Sequence, residues 1–168
     1  VGFDEEPYMT EYVVRVIDFL TIEKIMPLLE LSLNEGYDLV HRLWQEYESG
    51  ENRFDSNGAA LFGVECEDSL LAVGGVQRDP YLNRDDAGRV RHVYVHPGWR
   101  RAGLGRMLIS ALIDYSVAHF EVLTLRTLTD HGDKFYTSLG FLREPNYDSA
   151  THWLSLEAIR KARQGAGQ

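Results

Sequence analysis

The chain has 168 residues, 44% of them hydrophobic and 26% charged, with a formal net charge of −9. That length and balance suit one domain over residues 1–168 with its own hydrophobic core and loose ends. They exclude a default affinity for nucleic acid, which rests on phosphate neutralisation, and no apolar run is long enough to cross a bilayer.

Residues 1–9, VGFDEEPYM, read as a loose lead-in with no signal pattern. EYVVRVIDF is rich in β-branched residues and predicts a first strand. Ile22, Ile25, Met26, Leu29 and Leu33 recur at helical spacing and Gly36 stops them; Pro27 predicts a kink or a later start. Leu39, Val40, Leu43, Trp44 and Tyr47 mark a second helix, and a polar loop follows over residues 48–58. AALFGVEC and LLAVGGVQR face each other across Glu67, Asp68 and Ser69 as a tight hairpin. Within it, Gly74 and Gly75 predict a bulge or a close backbone approach. Cys66, the single cysteine, lies in this hairpin; a small core residue in a reducing, cytoplasmic compartment is expected.

After a loop over residues 79–88, RVRHVYVH predicts a fourth strand ended by Pro97. The next helix shows Leu104, Met107, Leu108, Ala111, Leu112, Tyr115 and Ala118 on one face. VLTLRTLT reads as a fifth strand, and DKFYTSLG as a short helix closed by Gly140. FLREPNYDSATHWLSL reads as two final strands around a turn, and KARQGAGQ as a ragged tail.

One segment departs from the acidic background. Between Asp86 and Asp114 there is no acidic residue, while Arg89, Arg91, Arg100, Arg101 and Arg106 all fall there. Part of this island, RRAGLGR, joins a strand to a helix. Backbone N–H groups at a helix start lack intrahelical partners and carry partial positive charge. Glycines let an anion approach those amides, and arginines add charge-assisted hydrogen bonds. The turn is therefore suited to a phosphate or pyrophosphate. It is neither a P-loop, which needs Gly-x-x-x-x-Gly-Lys-Ser/Thr, nor a dinucleotide fingerprint, whose third glycine position here holds Leu108.

The strand–turn–helix RVRHVYVHPGWRRAGLGRMLISALI resembles the central motif of the GCN5-related N-acetyltransferase (GNAT) family. Arg100, Gly103 and Gly105 match its Arg/Gln-x-x-Gly-x-Gly/Ala signature. KFYTSLGF resembles the family's later motif, with Tyr136 ahead of Gly140 and Phe141. The resemblance spans roughly residues 11–156. It implies an α/β (α+β) fold: a mixed, mostly antiparallel sheet of six or seven strands, splayed between strands four and five and flanked by about four helices. It also implies acetyl-CoA as donor, with no metal. The backbone of Val93, Tyr94 and Val95 would pair with the pantetheine arm. The turn Arg100, Arg101, Ala102, Gly103, Leu104, Gly105 and Arg106 would cradle the pyrophosphate. Thr129 or Asp130 stands where the family often has a cofactor-touching Asn.

The implied reaction is direct attack by an amine on the thioester. The Val95 amide is the candidate donor to the developing oxyanion. Tyr136 is the candidate acid for the leaving thiolate, or else a core ring. An alkylamine is almost wholly protonated at neutral pH, so a base would help. The family's usual Glu is missing from RVRHVYV; His92 is the candidate there, with a structural histidine as the alternative. Glu35, Glu65 and Asp79 are further possibilities. Trp99 and Tyr94 side chains are expected to pack, with Trp44 and Trp153 in the core. The acceptor is a small-molecule or peptide amine. Acids such as Glu35, Asp38 and Asp148 around the first two helices and residues 144–151 would favour a cationic one, or simply form a solvated face. A non-catalytic acyl-CoA sensor is the alternative function. No membrane partner is implied, and a homodimer is left open.

Overall fold

The computed structural model describes residues 10–167, and the lead-in read over residues 1–9 lies outside them. In chain order the elements are β1 (Val13–Val16), α1 (Ile22–Asn34), α2 (Leu39–Ser49), β2 (Ala60–Cys66), β3 (Ser69–Arg78), β4 (Ala87–Val95), a 3-10 turn (Pro97–Trp99), α3 (Leu104–Ser116), β5 (Val122–Leu125), α4 (Asp130–Ser138), β6 (His152–Ser155) and α5 (Leu156–Ala166). The strands form one six-stranded sheet in sequence order. Neighbours are antiparallel except β4 and β5, which run parallel.

Period-two alternation sends successive side chains to opposite faces. On β2, Phe62 and Val64 join the cluster under α3, with Leu104, Leu108, Ile109 and Leu112. Leu61 joins the cluster under α1 and α2, with Ile25, Leu28, Val40, Leu43 and Tyr47. On α3 the buried face includes Ile109 and Ser116, whereas Ala118, expected there, lies beyond the helix and is exposed.

Local chemistry accounts for the boundaries. The Thr21 hydroxyl accepts from the Lys24 amide at 3.3 Å and starts α1. Pro27 sits within α1 without ending it; Glu23, whose carbonyl loses a partner, is on the exposed side. Glu67 (φ 49°) and Asp68 (φ 67°) are both left-handed and close the β2–β3 hairpin between the paired Cys66 and Ser69. β5 ends at Leu125, so residues 126–129 leave the sheet, and α4 begins at Asp130.

Two expectations about the end of the chain need correcting. Of the final pair of strands only β6 forms; residues 141–142 contribute an isolated bridge, Leu142 to Trp153. A helix starts at Leu156, the end of the stretch read as strand, and runs to Ala166, so the tail read as ragged from Lys161 is helical over most of its length. The Ser155 hydroxyl caps α5 by accepting from the Ala158 amide at 3.2 Å, and Arg160 donates to the Phe120 carbonyl at 3.0 Å. Among the described residues no helix is long and apolar enough to cross a membrane.

Candidate active site

β4 pairs with β5 only through Ala87, Gly88 and Arg89, yet it continues to Val95. Beyond Arg89 the strands diverge and a cleft opens between them. Along the far edge of β4 lies a bulge. Val73 pairs with Tyr94 and Gly75 with Arg91, so His92 and Val93 together oppose Gly74. His92 takes φ +58°, a left-handed conformation uncommon outside glycine.

The bulge decides which backbone groups look into the cleft. The Asp79 amide donates to the Ala87 carbonyl and the His96 amide to the Leu71 carbonyl. Antiparallel pairs alternate between bonded and non-bonded. Before the bulge, Ala87, Arg89 and Arg91 therefore bond to β3; after it, Tyr94 and His96 do. The N–H and C=O groups of Val93 and Val95 face away from β3, toward the gap. Their side chains pack against the α3 cluster, whereas the Tyr94 ring is buried on the α1–α2 side.

The cleft holds about 440 Å³, and His92, Val93 and Tyr136 all line it. Tyr136 is the buried residue of α4, with ring neighbours Phe135 at 5.0 Å and Phe141 at 5.6 Å. Burial pushes its hydroxyl pKa well above the usual phenol value, and no hydrogen bond offsets that. The group is a protonated donor without a partner among the described residues.

His92 is only 8% exposed and is held from α2. Nδ1 lies 3.0 Å from the Leu39 carbonyl and Nε2 3.3 Å from Glu46 Oε2, while the Phe54 ring meets it edge-on at 6.3 Å. Burial, with the Arg91 charge, lowers its pKa and keeps it neutral at neutral pH. Both ring nitrogens face acceptors, so the neutral ring donates to only one of them, and a proton taken up at the other nitrogen would let it donate to both the Leu39 carbonyl and the Glu46 carboxylate.

The remaining predicted residues do not line this cleft. Gly103 precedes α3 at φ +83°, with open space where a Cβ would sit, and no side chain caps the helix. Arg101 is also left-handed, at φ 68°. A Cβ on Gly105 would come within 3.1 Å of Phe135 Cζ, so glycine here lets α3 approach α4. Leu104 is buried and Ala102 exposed, and Arg106 reaches Ser138 Oγ at 3.4 Å. Arg100 donates to both Glu35 oxygens at 2.7 and 2.6 Å and lies over the Tyr94 ring at 5.5 Å; its charge is already matched. Thr129 caps α4 by accepting from the Gly132 amide. Trp99 is 37% exposed beside His96, and Trp44 and Trp153 are half-buried rather than core.

The other candidate bases are engaged elsewhere. Glu35, pulled below the usual carboxylate range chiefly by Arg100, also accepts from the Tyr94 hydroxyl. Glu65 pairs with Lys24 at 2.8 Å at the far side of the sheet, where β1 meets β2. Buried Asp79 accepts from the Tyr81 amide at 2.8 Å and from the Thr124 hydroxyl.

Sequence reasoning missed two groups. Glu46 stands on the inward side of α2 between Leu43 and Tyr47, an acid at apolar spacing. His152, on β6, is 1% exposed and 6.3 Å from the Tyr136 ring. The Thr127 amide donates to Thr151 Oγ1, which lies 2.8 Å from His152 Nδ1, and His152 Nε2 lies 2.8 Å from Asp133 Oδ1. This chain ties the end of β5 to β6 and α4, and so fixes Tyr136.

Comparison with known proteins agrees with this architecture. The model of the Acetyltransferase (GNAT) family matches residues 25–141. A protein assigned as an acetyltransferase in Exiguobacterium sp. 255-15 is 26% identical, with a TM-score of 0.77 over 90% of this chain and 98% of its own. A GNAT-family acetyltransferase from Staphylococcus aureus Mu50 shares 15% identity and a TM-score of 0.64, over 86% of this chain and 99% of its own. A Salmonella typhimurium protein assigned as an acetyltransferase, solved with its cofactor acetyl-CoA, shares 18% identity and a TM-score of 0.60, over 86% of this chain and 94% of its own. No curated protein matches the chain.

Proposed function

The chain belongs to the GNAT acetyltransferase family, and from that premise we propose that it transfers an acetyl group from acetyl-CoA to a primary amine of a small molecule or peptide. The observation that carries the proposal is the protonated Tyr136 hydroxyl, without a partner among the described residues, in a cleft edged by gap-facing β4 backbone.

Acetyl-CoA supplies an activated thioester. The gap-facing groups of Val93 and Val95, on either side of Tyr94, suit an added, strand-like arm; of these the Val95 carbonyl already accepts from Arg100 Nε at 3.3 Å. The uncapped start of α3, with Arg101, Ala102, Gly103, Leu104, Gly105 and Arg106, suits the pyrophosphate. Arg100 and Thr129 complete that side, Arg100 by exchanging part of its Glu35 pairing for phosphate. The Val95 amide donates to the thioester oxygen as negative charge builds there.

His92 acts as base. Nε2 takes the amine proton, directly or through water, and the Glu46 carboxylate stabilises the imidazolium that results. Tyr136 Oη gives its proton to the leaving sulfur. The hydroxyl is protonated at neutral pH and so is available to donate to the sulfur as negative charge builds there; the transfer becomes complete only as the thiolate leaves. A purely acyl-CoA-sensing module would have no use for such a donor.

The test is calorimetric binding of acetyl-CoA together with thiol release over a panel of amines. Binding with turnover of at least one amine is expected. Binding without turnover of any amine would favour the sensor, and no binding would overturn both.

A further inference from the structure

The acceptor side of the cleft has an unexpected sign. In a protein of net charge −9, its lining includes Arg42, Arg89, Arg91 and Arg126 and no carboxylate. Three of these arginines have one acid each behind them, held loosely: Asp38 at 3.4 Å from Arg42, Asp79 at 3.5 Å from Arg89, and Glu46 at 3.4 Å from Arg91. By contrast, Arg100 and Glu35 meet at 2.6 Å. Arg126 is exposed and has no ion-pair partner among the described residues.

Arg89 adds an independent observation. Its side chain is only 7% exposed. It lies over the Tyr81 ring at 4.5 Å, and Nη2 donates to the Ser149 carbonyl at 2.7 Å. Nη1 is buried and turned to Asp79 Oδ2, its ion-pair partner at 3.5 Å, with no closer hydrogen bond. Arg89 thus adds charge to the wall from a fixed, buried position, with Asp79 as its only loosely held counter-charge. Arg91 and His92 both reach toward α2, so this basic wall belongs to the α1–α2 side of β4, opposite the α3 cluster.

We propose that the acceptor is a small primary amine that also carries an anionic oxyacid group, a carboxylate or a phosphate, seated by Arg89, Arg91, Arg42 and Arg126. The inference rests on the acetyltransferase reading and adds a substrate class to it. It also reverses the expectation of a cationic amine: Glu35 is occupied by Arg100, and Asp38 stands behind Arg42. A polyamine would have to bring its second charge against this wall.

The test uses paired amines on the full chain. Free amino acids are set against their amides, aminoalkyl and amino-sugar phosphates against their dephosphorylated forms, and spermidine stands apart. The first two arms distinguish carboxylate from phosphate. At least one anionic member should exceed its neutral partner about tenfold or more in kcat/KM, the worth of a charge-assisted contact. Arg126→Gln and Arg42→Gln, both at exposed positions, should raise KM for that amine several-fold, with kcat and the acetyl-CoA KM held. Arg126→Lys should restore part of the loss. Equal or better turnover of the neutral partners or of spermidine would overturn the proposal, as would an unmoved KM in both glutamine variants. Calorimetry of the same pairs on CoA-saturated protein separates the two levels. Selective binding of an anionic member without any turnover would keep the anion site and remove the acetyltransferase reading. No selective binding and no selective turnover would remove the site alone.

Discussion

Gly103 opens α3 at φ +83°, a conformation that costs an L-residue about 1–2 kcal/mol, while nothing lies within 4 Å of its missing Cβ. Gly103→Ala should therefore lower stability by about 1 kcal/mol through backbone strain alone, read from a denaturant midpoint. Gly105 differs, because its missing Cβ faces Phe135. Gly105→Val should destabilise by about 1–3 kcal/mol through overpacking. Phe135→Leu in the same chain should recover part of that loss, and strict additivity of the two changes would contradict the assignment. Glu35 brings pH into the account. Its folded pKa is depressed, first by Arg100, so the unfolded chain holds the proton more readily. The pair's contribution is present above the ordinary carboxylate pKa and is lost as pH falls through the carboxylate range. Being partly exposed, the pair contributes about 1 kcal/mol or less. Glu35→Gln should flatten the acid limb of a stability–pH curve while changing stability at neutral pH only slightly.

At the scale of elements, the β4 bulge depends on residues far away in sequence. Gly75 leaves room for Phe54, and a Cβ there would meet Phe54 Cε1 at 2.4 Å. The Phe54 ring in turn meets His92. Gly75→Ala should push Phe54 against the bulge, costing about 1–3 kcal/mol in denaturation and lowering kcat as His92 shifts. A fully stable, fully active variant would contradict that coupling. The Gly74–Gly75 pair was legible as a bulge or a close approach because glycines inside an apolar strand pack no side chain of their own. That the extra residue sits on β4, at His92, was not, since it depends on the partner strand's register. α5 was missed because Leu156 and Ile159 alone stand out against a polar tail; what holds the helix is the Ser155 cap and the reach of Arg160 to residues 117–120. The turn and the Tyr-Gly-Phe motif were legible as local strings. Glu46, His152 and the arginine wall were not, because α2, β4 and the end of β5 meet only in the folded chain.

Across the whole molecule, charge is divided. The surface is acidic overall, while the start of α3 and the arginine-lined wall of the cleft are basic. Acetyl-CoA affinity should therefore weaken as salt rises, through screening of the contacts between arginine and phosphate, and a salt-independent Kd would argue against a pyrophosphate seat. Tyr136 stands in the cleft with a hydroxyl that has no hydrogen-bond partner among the described residues. Phe at that position keeps the ring and its contacts with Phe135 and Phe141, so stability should hold. The most direct test of the account is kcat for Tyr136→Phe with an accepted amine, measured alongside the acetyl-CoA Kd. The account predicts a fall in kcat of roughly ten- to a thousand-fold with Kd unchanged; full turnover with intact binding would contradict it.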